Sequence, residues 1–201
     1  MLKVSLYLIL SYLCGSIPFG YIIAKIFKKT DIRKQGSGNT GATNVYRTIS
    51  KPLGILTLFL DLLKGFVPVY LVSLTNPSTY WIVIVVALAT ILGHIFTVFL
   101  NFKGGKGVAT ACGAFLAMNP LAVLICFVSF VIVLIIFKYV SLASIVAAIL
   151  LPISLYLLNS LSELVIFSCI ISLLVIIRHI SNIKRLLNGT ENKIFGTKTT
   201  K

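Results

Sequence analysis

The stretch VATACGAFLAMNPLAVLICFVSFVIVLIIF, residues 108–137, decides how this chain is organised. It is 30 residues long and mostly apolar. A membrane-spanning helix needs roughly 20 apolar residues, so the stretch is long for one span. It also carries Asn119-Pro120 in its interior. The residue before a proline avoids the helical region, and proline lacks the N–H that a helix interior uses. The stretch therefore reads as two spans, a short one at 108–118 and a longer one at 120–137.

Working outward, five more apolar runs follow the same rule. They cover residues 4–23, bent at Pro18, then 53–74, 80–100, 141–158 and 161–177. The expectation is an all-α, polytopic integral membrane bundle of seven transmembrane helices, forming one domain over residues 1–201. Charge supports the split at Asn119. With seven spans, segments 24–52, 101–107, 138–140 and 178–201 share one face. They carry 7, 2, 1 and 6 Lys and Arg, 16 of the 18 in the chain. The opposite loops, near 75–79, 119 and 159–160, carry none. Basic residues accumulate on the cytoplasmic side of membrane proteins. The reading thus places the N-terminus outside and the C-terminus in the cytoplasm. A single span over 108–137 would put Lys138 and the basic C-terminus on opposite sides.

Composition excludes the other classes. Hydrophobic residues make up 58% of the 201, and charged residues 11%. Ordinary soluble domains hold about 25% charged residues. Disorder goes with low hydrophobicity, and one soluble core could not hide this much apolar surface. A transmembrane barrel would alternate apolar and polar residues, and these runs do not. The net charge of +14 sits in short loops at a membrane surface. Anionic membrane lipids suit that placement, and nucleic acid does not. Cys14, Cys112, Cys126 and Cys169 lie in apolar stretches without metal-ligand spacing and read as reduced packing residues. Leu13 before Cys14 argues against a lipoprotein signal, so the N-terminus reads as an uncleaved first span.

Three polar clusters fall on the basic face. The first is Gly36-Ser37-Gly38-Asn39-Thr40-Gly41-Ala42-Thr43-Asn44, with Arg47. Glycines let a backbone turn and present successive N–H groups. Hydroxyls, amides and a guanidinium fork add donors suited to phosphate. The second is Phe102-Lys103-Gly104-Gly105-Lys106-Gly107, leading into Val108-Ala109-Thr110. It is not a Walker A loop, because Gly107 follows Lys106. The third runs from Arg178-His179 through Asn182 to Arg185, then Gly189-Thr190-Glu191. His179, Asn182 and Arg185 recur every three residues, as they would on one helix face. Each cluster joins cations to neutral donors, and carboxylates are scarce. That pattern describes a phosphate pocket at the membrane surface. Proton relays and cation sites would place acidic residues in the spans. A transporter for an organic phosphate would use the same donors, though at a midplane site between inverted repeats.

Two further features remain. Asp61 and Lys64 are three apart within a span and read as a structural ion pair near the site. His94 is read equally as a packing residue or a site residue.

Gly15-Ser16-Ile17-Pro18-Phe19-Gly20, the runs 36–44 and 102–110, and Arg178-His179 to Asn182 with Gly189-Thr190-Glu191 together resemble the PlsY family of bacterial glycerol-3-phosphate acyltransferases. The resemblance covers nearly the whole chain, in order and spacing, and no family motif is missing. It implies a multi-pass enzyme of the bacterial inner membrane, with its active site on the cytoplasmic face. The implied reaction moves an acyl group from acyl phosphate to the sn-1 hydroxyl of glycerol 3-phosphate. Its products, lysophosphatidic acid and inorganic phosphate, open phospholipid synthesis. No cofactor or metal is implied. The enzyme that produces acyl phosphate is the implied protein partner. By the same resemblance Ser37, Asn39, Gly41 and Thr43 hold phosphate with Arg47 beside them. Lys106 bridges substrate phosphates and stabilises developing charge. Ser144, with Ser141 as a competitor, joins His179 and Asn182 in binding glycerol 3-phosphate. Either His179 or the substrate's own phosphate takes the hydroxyl proton. A His-x-x-x-x-Asp dyad is absent, since Phe99 and Lys184 stand five residues after His94 and His179. Acyl phosphate is already activated, so positioning and electrostatic stabilisation are expected to dominate.

Overall fold

The computed structural model describes residues 2–76 and 79–194. Lys198 and Lys201, counted above in the basic C-terminal segment, lie outside them. Among the described residues the regular structure is helical, with no strand. Two compact units divide the chain, Met1–Pro120 and Leu121–Lys201.

The first unit holds α1 (Leu2–Ser16), α2 (Phe19–Lys28), α3 (Ala42–Thr48), α4 (Lys51–Thr75), α5 (Tyr80–Ile95) and α6 (Val108–Met118). The break between α1 and α2 falls at Ile17-Pro18, where proline interrupts the helical ladder. The second unit holds α7 (Pro120–Phe137), α8 (Val140–Leu157), α9 (Ser162–Arg178) and α10 (Ile180–Leu187). Asn119 alone separates α6 from α7. Pro120 opens α7, the first-turn position where its missing N–H costs nothing.

Five segments are long and apolar enough to cross a membrane: Leu2–Lys28, Lys51–Thr75, Tyr80–Leu100, Pro120–Phe137 and Val140–Leu157. A sixth results if α9 and α10, bent by 57° at their junction, count as one. The seven-span reading also takes α6 as a span. At 1.5 Å per residue, α6 is only about 16 Å long, roughly half the hydrocarbon thickness. Large apolar side chains such as Phe59, Leu71, Trp81, Phe127 and Ile135 stand exposed on these helices. Water disfavours such a surface, and lipid tails accept it.

In the first unit, α4 packs chiefly against α6, and α1 against α5. The α4–α6 contact is backbone to backbone. A Cβ at Gly65 would run into the Thr110 carbonyl, and one at Gly113 into the Leu62 carbonyl. Small residues allow this close approach where no hydrophobic drive joins helices in lipid. The same interface carries a charge. Lys64 Nζ lies 2.8 Å from Asp61 Oδ1, with both side chains 3% exposed. Lys64 also donates at 2.7 Å to the Ile17 carbonyl at the Pro18 break, which accepts from the Phe19 N–H as well at 3.1 Å. In the second unit, α8 packs on α9, and Ser172 donates to the Ala148 carbonyl across that contact at 2.5 Å.

Gly113→Val should force α4 and α6 apart and cost about 1–3 kcal/mol, the usual range for overpacking. A lower unfolding midpoint in detergent is the expected reading. A midpoint equal to the parent's would mean the two backbones do not touch there.

Candidate functional site

The first glycine-rich loop is built between α2 and α3. Asp31 caps a short turn at Ile32–Lys34 by accepting from the Arg33 N–H at 3.0 Å. Its carboxylate also takes Arg33 Nε at 3.0 Å and Nη2 at 2.8 Å. The guanidinium lies 5.1 Å from the Tyr21 ring centre. Hydrogen bonding by Arg33 holds the Asp31 carboxyl down at about 2. The chain then turns through Gly36 and Gly38, both left-handed at φ +54° and +71°.

Asn44 organises this loop from inside. It is 3% exposed, and its Nδ2 donates to the carbonyls of Gln35 and Asn39 at 2.9 Å and of Ile32 at 3.2 Å. Its Oδ1 accepts from the Ser37 N–H at 3.1 Å. Asn39 Oδ1 accepts from the Gly41 N–H at 2.8 Å. Ser37, Asn39 and Gly41 therefore sit on one loop whose shape is set largely by Asn44, and Thr43 follows in the first turn of α3. The hydroxyls of Ser37 and Thr43 and the Nδ2 of Asn39 take no part in these loop-shaping bonds. Arg47 follows in the last turn of α3 and is half-buried.

The second loop leaves the end of α5. After a turn at Val98–Leu100, Asn101 and Phe102 take left-handed angles and bring the chain back. Gly104 N–H donates to the Ile95 carbonyl at 3.0 Å, and Gly105 N–H to the His94 carbonyl at 3.1 Å. Gly107, at φ +88°, starts α6. Lys106 stands half-buried between buried Gly105 and Gly107. All these residues belong to the first unit.

Ser144, His179 and Asn182 belong to the second unit. His179 is the joint between α9 and α10 and is 3% exposed. Its Nδ1 lies 2.7 Å from the Val175 carbonyl, which can only accept. A proton therefore sits on Nδ1, and in the neutral ring Nε2 is the acceptor. Asn182 lies on the first turn of α10, and its N–H donates to the His179 carbonyl at 2.9 Å. Ser144, in α8, donates to the Val140 carbonyl at 2.8 Å.

Glu191 is the centre that sequence reading passed over. Its Oε1 accepts from Asn182 Nδ2 at 2.8 Å and from Ser141 Oγ at 3.0 Å. Its Oε2 accepts from Arg185 Nε at 2.7 Å. Burial pushes this carboxyl up, and bonds from Asn182, Arg185 and Ser141 outweigh that and leave it below its ordinary value. Asn182 and Arg185 thus meet at one carboxylate, and Ser141 joins them from α8. The available signal was scarcity. Only four acidic residues occur in a chain of charge +14, and one of them follows Gly189-Thr190. Three of the four are paired with cations: Asp31 with Arg33, Asp61 with Lys64 and Glu191 with Arg185.

An all-helical membrane protein with donor-rich, glycine-bearing loops is the class this geometry defines. The glycerol-3-phosphate acyltransferase family model matches residues 5–189. A glycerol-3-phosphate acyltransferase of Endomicrobium trichonymphae is 51% identical over 194 residues, covering 96% of this chain and 97% of that one. One from Fusobacterium nucleatum is 48% identical over 187 residues, covering 93% and 96%. A crystal structure of PlsY (YgiH), an integral membrane glycerol 3-phosphate acyltransferase in its glycerol 3-phosphate form, superposes with TM-score 0.93 at 42% identity, covering 97% and 96%. Its lysophosphatidic acid form gives 0.89. The chain belongs to the glycerol-3-phosphate acyltransferase family. It is an integral, multi-pass membrane acyltransferase of phospholipid synthesis.

Glu191→Gln keeps an oxygen for Asn182 and Ser141 but removes its charge, so it should destabilise the protein by about 1 kcal/mol, the difference between charged and neutral hydrogen bonds, with little more from the Arg185 pair, which solvent screens. The native carboxyl lies below its ordinary value of 4.5, so its stabilisation is complete above that pH and fades as pH falls through the native value. Thermal unfolding of both proteins should show a gap at neutral pH that narrows below pH 4.5. A gap independent of pH would contradict this role.

Proposed function

We propose that the protein transfers an acyl group from acyl phosphate to the sn-1 hydroxyl of glycerol 3-phosphate, releasing inorganic phosphate and leaving lysophosphatidic acid. The observation that carries this reading is the first loop. Its shape is held by Asn44 and by the carbonyl face of Asn39, and Ser37 Oγ, Thr43 Oγ1 and Asn39 Nδ2, which those bonds do not use, are the donors for a phosphate. Gly41 belongs to the same cradle, because a side chain there would crowd Asn39 Oδ1. Arg47 contributes the fork that binds phosphate oxygens in pairs.

Lys106 bridges substrate phosphates and stabilises charge developing on the departing one. In the second unit Ser144, His179 and Asn182 bind glycerol 3-phosphate. The sn-1 oxygen forms a bond to the acyl carbon, and the bond from that carbon to the phosphate oxygen breaks. The hydroxyl proton passes to His179 Nε2 or to the substrate's own phosphate. A tautomer with Nδ1–H held by Val175 supports the first route. Phosphate with a second pKa near 6 is a good leaving group and needs little acid assistance. Positioning and electrostatics then supply most of the acceleration. No cofactor or metal takes part.

The same reading places seven spans in the bacterial inner membrane, with the N-terminus outside and the glycine-rich loops and C-terminus in the cytoplasm. Acyl phosphate then arrives from the cytoplasmic side, supplied by the enzyme that makes it.

Purified protein in lipid should make lysophosphatidic acid from acyl phosphate and glycerol 3-phosphate, and none from acyl-CoA. Turnover with acyl-CoA alone would overturn the donor assignment. Lys106→Ala and Arg47→Ala should each lose at least about 100-fold in turnover while remaining folded, the loss typical of a removed charge-stabilising donor. Full turnover by both variants would remove the site.

A further inference from the structure

Asp61, Lys64 and His94 are buried charged or titratable groups that touch none of the reacting atoms in the chemistry above. Their relative exposures are 2%, 5% and 7%. Lys64 Nζ lies 2.8 Å from Asp61 Oδ1. The same oxygen lies 3.7 Å from His94 Nδ1. The far edge of the imidazole meets the second glycine-rich loop. A Cβ built on Gly105 would fall on His94 Nε2, so the Cα–H of Gly105 points at that nitrogen. The main chain of α5 fixes the same spot, through the Gly105 N–H to His94 carbonyl and Gly104 N–H to Ile95 carbonyl bonds. Thr110, in the first turn of α6, donates to the Asp61 carbonyl at 3.1 Å. Lys64 reaches the α1–α2 break at Ile17.

One acidic residue thus ties together the α1–α2 break, α4, the end of α5, the loop 103–107 and the start of α6. Holding helices together does not require charges. A buried ion pair is often no more stabilising than apolar side chains of equal volume, because desolvation offsets its attraction. What the charged version adds is orientation. At 3.7 Å the carboxylate is beyond hydrogen-bond length of Nδ1 and acts through its charge, which favours the N–H of the ring on that side and, in the neutral ring, Nε2 as the acceptor under Gly105. Cα–H contacts of this kind are weak singly, and here one acts with two backbone bonds on Gly104 and Gly105, just before Lys106.

We propose that Asp61, Lys64 and His94 form a positioning unit for Lys106: Lys64 sets Asp61, Asp61 orients the His94 ring, and the ring sets the backbone of Gly105. The inference rests on Lys106 contacting substrate phosphate, as assigned above. Misplacing a phosphate-binding ammonium by about 1 Å is enough to lose on the order of 100-fold in rate. The three residues are positioning residues, since they reach the substrate only through the loop.

The test is steady-state kinetics with acyl phosphate and glycerol 3-phosphate, per folded molecule. His94→Ala should lower kcat/KM by about 10- to 100-fold, and His94→Gln, which keeps a donor and an acceptor at similar reach, should recover part of it. His94→Ala should add little to the loss in Lys106→Ala, because residues acting as one unit are not additive. Gly105→Ala should be defective by collision with the ring, and His94→Ala/Gly105→Ala should be more active than Gly105→Ala alone. Asp61→Asn strips Lys64 of its partner and is expected to fold poorly, so the His94 and Gly105 variants carry the test. If His94→Ala loses thermal stability with kcat/KM unchanged, the residue is packing only and the inference falls. If its loss multiplies in full with that of Lys106→Ala, the inference falls while the phosphate role of Lys106 stands. If Lys106→Ala turns over at the parent rate, that role falls, and this inference with it.

Discussion

In hydrocarbon, an unpaired backbone N–H or C=O has no water to turn to, and each costs several kcal/mol. Every segment at membrane depth must therefore close its hydrogen bonds internally, and α-helix does so residue by residue. Where a helix breaks, a side chain must take up the loose ends. At the Pro18 break Lys64 joins the Phe19 N–H on the Ile17 carbonyl, and Thr97 donates to the Ser16 carbonyl at 2.5 Å. Polar chemistry is then pushed into the connections, where donors can face a headgroup. Ser37, Asn39, Thr43 and Lys106 all lie in such connections.

Charge scarcity shapes those connections as much as helix does. With 18 basic and 4 acidic residues, most cations have no carboxylate to meet. Three of the four acidic residues are placed at joints. Asp31 turns the chain out of α2, Asp61 sits under the second glycine-rich loop, and Glu191 gathers α8, α10 and the segment that follows. Each is surrounded by several donors. The chain spends its few carboxylates on shape, which suits an enzyme whose substrates bring their own negative charge.

Membership of the glycerol-3-phosphate acyltransferase family agrees with that economy. The two glycine-rich loops are held by amides and carbonyls: Asn44 and Asn39 in one, the His94 and Ile95 carbonyls in the other. Amides and carbonyls thus do the work of scaffold, and the bonds that shape the first loop do not use its Ser37 and Thr43 hydroxyls.

Local physics was readable from the sequence. The helix end at Asn119-Pro120, the bend at Pro18 and the Asp61–Lys64 pair depend on residues at most three apart, and so do the glycines that turn the loops. The sequence by itself determined that this chain is helical and built for a membrane, and it singled out three clusters of cations and neutral donors. Only the tertiary structure decided which polar groups face inward. Asn44 read as one more phosphate donor and is the buried knot of its loop. Glu191 read as the tail of a motif and binds Ser141, 50 residues away, together with Asn182 and Arg185. His94 was undecided until Gly105 was found against its ring. These outcomes depend on contacts between residues distant in the chain, and spacing along a sequence carries no record of which of two similar amides or carboxylates a fold will close over.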